Sequence, residues 1–200
     1  MYVLPSSAAL YAAAQYWGGS FYFLNKVFFW LAERASTQRR ERVWRIAGWT
    51  VYPIGMPGWL YVFAYNHNWI AGSVEAAGIF GMILGLANTV RGVGREPRWL
   101  NWTVRIAMVF GLAASVYDFG GITRWNQVLE ILLNTGFFFG VYLLGKKRPS
   151  GYLWFLLMLG SNATLQYIQG AAFLVYQQVL SMVFIADAYR CQRRKSAASS

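Results

Sequence analysis

The chain has 200 residues, of which 57% are apolar, 18% aromatic and 12% charged, and its formal net charge is +11. So few charges, gathered in clusters, do not make the surface of a water-soluble domain, and composition excludes that class. Their placement also argues against nucleic acid as a partner, because each basic cluster follows an apolar segment long enough to cross the roughly 30 Å of bilayer hydrocarbon.

Segment 1, residues 8 to 32, has no basic stretch ahead of it and no cleavage site near its end, so it reads as a retained helix and not a signal peptide. It carries Lys26 deep in apolar sequence. There the expected behaviour is snorkelling toward the headgroups near Glu33, with pairing to Glu75 or Glu130 as the other course. Segment 2, residues 46 to 65, contains Pro53 and Pro57. Each proline removes a backbone donor and crowds the preceding turn, which predicts a kink or local unwinding that must face protein or water. Segment 3, residues 69 to 90, offers Glu75 and Asn88 as polar groups and Gly81 and Gly85 as a small-residue ridge for a neighbouring helix.

Segment 4 spans residues 101 to 118 and segment 5 residues 125 to 145. On segment 5, Asn126, Glu130 and Asn134 recur every four residues and so stack on one helical face. Segment 6, residues 151 to 169, repeats that device with Asn162, Gln166 and Gln169. Segment 7, residues 171 to 189, opens with Gln177 and Gln178, carries Asp187 and runs into a basic tail over residues 190 to 200.

Arginines and lysines follow segments 1, 3, 5 and 7, whereas the connections after segments 2, 4 and 6 contain only Arg124. The positive-inside rule then predicts seven crossings, with the amino terminus outside and the carboxyl terminus in the cytoplasm. A bacterial inner (plasma) membrane is the simplest location. Leu24-Asn25-Lys26-Val27-Phe28-Phe29-Trp30 parallels Leu133-Asn134-Thr135-Gly136-Phe137-Phe138-Phe139, and Glu75 and Gln177 fall at similar depth in segments 3 and 7. These parallels predict an all-α single membrane domain. Its two parallel three-helix repeats, residues 8–90 and 125–189, are joined by a linker helix at 101–118.

Polar groups inside spans cost about 2.5 to 3.5 kcal/mol for a central Asp and tend to face the bundle interior. The stripes, with Asn88 and Asp187, are therefore expected to line a cavity, or else to glue helices together. An amide-rich lining suits a neutral hydroxylated or carboxamide-bearing solute. The expected roles are Asn134, Asn162 and Gln166 as hydrogen-bond partners, Trp59 and Trp154 as stacking surfaces, and Glu75, Glu130 and Gln177 as polar lining. Tyr61 and Tyr167 are further aromatics available to stack. Proton coupling through Glu75 or Glu130 is a further course.

Inventory argues against catalysis and cofactors. His67 is the single histidine and Cys191 the single cysteine, which leaves no multi-ligand metal or bis-histidine haem site. Lysine occurs at 26, 146, 147 and 195, so the last span offers no Schiff-base lysine for retinal. No nucleophile elbow or phosphate loop is present.

Tyr152-Leu153-Trp154, then Gln169-Gly170, Gln177, Asp187 and Arg190 together resemble the last two helices of the PnuC nicotinamide riboside transporters. The three-plus-one-plus-three plan, related to that of the SWEET sugar carriers, is similar too. Met158 stands where that family commonly shows Asn, with Asn162 one turn later. The resemblance implies facilitated diffusion of a vitamin-like nucleoside or heterocycle, trapped inside by phosphorylation; related carriers look like transporters of thiamine or riboflavin. The expected partners are a small solute and the bilayer, with homo-oligomers or a larger complex left open. The alternative, from another class, is a noncatalytic transmembrane subunit of such a complex.

Overall fold

The computed structural model describes residues 7–65, 69–118, 125–168, 170 and 172–198. Among these the chain is all helical, with seven helices: α1 (Ser7–Arg34), α2 (Gln38–Tyr65), α3 (Trp69–Arg91), α4 (Arg98–Asp118), α5 (Trp125–Gly145), α6 (Ser150–Ile168) and α7 (Ala172–Ala198). The helix boundaries follow local chemistry. Thr37 caps α2 by accepting the Arg40 amide on Oγ1 at 3.3 Å. After α3, Gly92 takes φ +97°, a conformation that favours glycine and ends the helix. The basic flanks of segments 2 and 7 are themselves helical, since α2 starts at Gln38 and α7 runs on to Ala198.

Three helices, α3, α5 and α7, contain stretches long and apolar enough to cross a membrane: Val74–Arg91, Gln127–Gly145 and Ala172–Lys195. The packing is a ring in which α1 lies against α2, α2 against α3, α3 against α5, α5 against α6, α6 against α7 and α7 against α1. Helix α4 sits outside this ring on α3 and α5. Glycines set the tightest approaches. A Cβ on Gly58 would come 2.6 Å from the Ala14 carbonyl of α1, and one on Gly136 would come 2.7 Å from the backbone of Trp154 and Met158 on α6. The ridge of α3 does as its sequence predicts, with Gly81 against Val141 and Gly85 against Trp49.

Large apolar side chains fill the centre, among them Phe29, Trp49, Phe137, Phe138, Tyr152 and Phe155. The polar groups Asn25, Lys26, Glu33, Arg45 and Asn88 are buried with them, while Trp99, Trp102, Ile106, Phe110 and Tyr117 of α4 and Phe173, Tyr176, Leu180 and Val183 of α7 face outward. Apolar side chains thus occupy both the centre and large parts of the outer faces of α4 and α7.

Of the kink or unwinding expected at Pro53 and Pro57, the unwinding is absent, since α2 is continuous through both; between them the Trp17 indole donates to the Ile54 carbonyl at 2.9 Å. Lys26 does not snorkel. It is 1% exposed, and its Nζ lies 3.2 Å from the centroid of the Tyr22 ring, because aromatic faces and the nearby Glu75 carboxylate replace water around the ammonium.

Candidate functional site: a polar cavity at one end of the bundle

A cavity of about 320 Å³ opens between the helices at the end where α1, α3, α5 and α7 begin and α2 and α6 finish. Every helix of the ring contributes to it. Of the stripe expected on α5, Glu130 and Asn134 line it, with Leu133 beside them, and of that on α6, Asn162 and Gln166 do, with Leu165. Helix spacing of three and four residues puts each set on one face, and ring closure turns those faces toward each other. Helix α7 adds Gln177 and Gln178, α3 adds Glu75, α2 adds Trp59 and Phe63, and α1 adds Tyr11, Gln15 and Tyr22.

Of the eight residues expected to contact solute, seven line this cavity: Trp59, Glu75, Glu130, Asn134, Asn162, Gln166 and Gln177. Trp154 is not among them. Its ring stacks on Phe139 of α5 with centroids 5.0 Å apart, since α6 turns that face to the α5 contact and not to the cavity. Asn88 and Asp187 also lie elsewhere: Asn88 donates to the Gly145 carbonyl at 2.9 Å, and Asp187 accepts from Trp30 at 2.7 Å and Arg34 at 2.9 Å. Tyr61 pairs with Tyr65 and Tyr167 is largely exposed, so neither lines the cavity. His67, Arg124, Gln169 and the side chain of Asn126 lie outside the described residues.

Hydrogen bonding within the lining is incomplete. Gln177 donates to the Gly19 carbonyl at 2.5 Å and Gln166 to Asn162 Oδ1 at 3.3 Å. Yet three buried polar atoms of the lining, Trp59 Nε1, Gln177 Oε1 and Gln178 Oε1, have no hydrogen-bond partner among the described residues. Buried polar atoms left without a partner cost roughly 1 to 3 kcal/mol each; these three are shielded from the open space, toward which the lining offers the amides of Gln15, Asn134, Asn162 and Gln166. The Trp59 indole reaches this place because Gly18 yields to it: a Cβ there would come 2.8 Å from Trp59 Cδ1. Below the amides the Tyr52 hydroxyl donates to Glu75 Oε1, joining the carboxylate to a buried aromatic layer.

Sequence reasoning missed Tyr11, Gln15, Tyr22 and Phe63. Gln15 is an amide inside an apolar segment and could have been found on that ground, whereas the aromatics are indistinguishable in sequence from the many that merely pack. Gln178 was visible as a polar residue but was not separable from its neighbour Gln177.

The opposite, basic end is closed. Arg45 donates to Glu33 at 2.6 Å and to Glu41 at 2.9 Å, and the Tyr152 hydroxyl donates to Glu33 at 2.7 Å. Lys146 pairs with Glu96. Among the described residues no group of three or more His, Cys, Asp or Glu could hold a metal ion. No protein family, curated protein or solved structure matches this chain.

Proposed function

We propose that this chain is a membrane carrier for a small, neutral or vitamin-like solute, acting by facilitated diffusion in the manner of the PnuC-type transporters. The observation that carries the reading is the cavity: about 320 Å³, at the lower end of the roughly 300 to 1,000 Å³ usual for ligand pockets, and lined by amides from α1, α5, α6 and α7. A solute that exchanges hydrogen bonds with amides such as those of Asn134, Asn162 and Gln166 fits that lining. The rings of Tyr11, Tyr22, Trp59 and Phe63 offer faces to a heterocycle.

In this reading all seven helices cross the membrane. Helices α1, α2, α4 and α6 are less apolar on average than the other three, but the charged Lys26, Glu33 and Arg45 of α1 and α2 are buried while Leu10, Trp17, Leu24 and Ile54 face out. The repeat reading is supported by the packing: exchanging α1 with α5, α2 with α6 and α3 with α7 leaves the set of neighbouring helices in the ring unchanged. With the basic end in the cytoplasm, the cavity faces outward and the Glu33–Arg45–Tyr152 cluster shuts the inner end, which is one of the two states that alternating access requires. The second reading, a noncatalytic subunit, rests on the exposed aromatic side chains of α4, and it leaves the amide-lined cavity without a purpose.

The test is a thermal-shift panel on detergent-purified protein with nicotinamide riboside, thiamine, riboflavin, nucleosides and simple sugars. A true solute at a hundredfold excess over its dissociation constant stabilises the fold by about 2.7 kcal/mol. Stabilisation by one class identifies the cargo; no shift with any compound favours the subunit reading.

A further inference from the structure

Two contacts of the ring join its first three helices to its last three, α3 with α5 and α7 with α1. Helix α4 lies over the first of these and, among the described residues, has no packing contact with α1 or α7. The α7–α1 contact carries instead an open groove of about 450 Å³ at its basic end. Trp30 of α1 and Val183 and Phe184 of α7 form the apolar wall, and Arg34 and Arg190 stand at the rim.

The rim is held in place from within. Asp187 accepts from the Trp30 indole at 2.7 Å and from Arg34 Nε at 2.9 Å, and the Arg34 guanidinium lies 4.9 Å from the centroid of the Trp30 ring. Phe184 meets the same ring edge-on with centroids 5.0 Å apart. Arg34 is thereby fixed over the apolar wall while 54% of its side chain stays exposed, with guanidinium donors to spare. Two arginines against one carboxylate leave the groove a surplus positive charge, and the exposed Arg193, Arg194 and Lys195 follow on α7. Toward the middle of α7 the surface turns apolar. Val183, Leu180 and Tyr176 recur at three and four residues, share one face and are all exposed.

We infer that this groove holds an anionic phospholipid of the cytoplasmic leaflet. Its phosphate rests on Arg34 and Arg190 and an acyl chain runs along Trp30, Val183 and Leu180, so that the lipid covers the α7–α1 contact as α4 covers the α3–α5 contact. A guanidinium matches phosphate oxygens in geometry as well as charge. An anionic headgroup neutralises the surplus charge, whereas a zwitterionic one brings a further ammonium to it. The inference uses the reading in which α1 and α7 cross the bilayer with their basic ends in the cytoplasm, and it makes no use of a solute.

The experiment is native mass spectrometry of the full chain released from detergent, with thermal midpoints measured alongside, using phosphatidylglycerol and phosphatidylcholine of equal chain length as probes. Phosphatidylglycerol should be retained and raise the midpoint, and phosphatidylcholine should do neither. The double variant Arg34→Gln, Arg190→Gln should weaken retention of phosphatidylglycerol by roughly tenfold or more. Arg91→Gln, Arg98→Gln removes the same charge from exposed positions on α3 and α4 and should leave retention unchanged. Ala186→Trp, which fills the groove and keeps its charges, should abolish retention. Equal losses in the two arginine pairs would mean diffuse attraction to a basic surface and would overturn the inference, as would equal retention of the two lipids. A midpoint raised by glycerol phosphate alone would make this a site for free phosphate, and a dimer that Ala186→Trp separates would make it an interface between copies; either result overturns the lipid. Should Ala186→Trp not fold, the two arginine pairs decide. Selective retention of phosphatidylglycerol beside a silent solute panel would remove the carrier reading and leave the lipid site standing.

Discussion

Each end of the bundle holds a carboxylate on a ring helix, buried at one end and half-buried at the other, and the two are treated differently. At the basic end Glu33 is 1% exposed and bonded by both Arg45 and Tyr152. At the other end Glu75 has Tyr52 as its bonded partner, and one side of it opens on the cavity. The first arrangement joins α1, α2 and α6 and holds them shut. The second leaves hydrogen-bonding capacity for something that is not protein. The difference teaches that burial of a charge does not by itself mark a functional site; what marks one is a buried polar group with room beside it.

Removing Arg45 should break this comparison most severely. Arg45→Met leaves Glu33 buried without its cation and is expected to cost about 3 to 5 kcal/mol in unfolding free energy, read as a lowered thermal midpoint in detergent. Adding Glu33→Leu to that variant should restore most of the loss, because the buried charge goes with its partner. Next in size is Gly136→Ala, whose Cβ would meet the α6 backbone at 2.7 Å and force α5 and α6 apart. The expected cost is about 1 to 3 kcal/mol by the same measurement.

At the cavity end the effects should move from stability to binding. Asn162→Ala and Gln166→Ala are expected to change stability by no more than about 0.5 kcal/mol. Each should weaken binding of the solute found by thermal shift by up to roughly tenfold, the worth of one hydrogen bond, as measured by calorimetry. Unchanged affinity in both would assign the α6 stripe to packing. The smallest effect on binding is expected for Trp154→Ala, since that ring stacks on Phe139 and not on the cavity. A large loss of affinity there would mean that the guest reaches beyond the cavity described.

Sequence by itself determined the helices and most of the polar lining. Apolar segments of bilayer length separated by charge clusters are strong local signals, and α3, α5 and α6 agree with the expected ranges to within a residue or two at each end. Amides recurring at three and four residues define a face whatever the neighbours are, and so Asn134, Asn162 and Gln166 were legible. Tertiary structure alone decided which faces meet. Asn25 and Asn134 occupy matching places in the sequence parallel, yet Asn25 donates to the Gly48 carbonyl at 2.7 Å in the packed interface of α1 and α2, while Asn134 lines the cavity. Lys26 had equal local reasons to reach for headgroups or to stay inside. The aromatic rings of α1, α2 and α6 and the carboxylate of α3, brought together only when the ring of helices closes, determined that it stays.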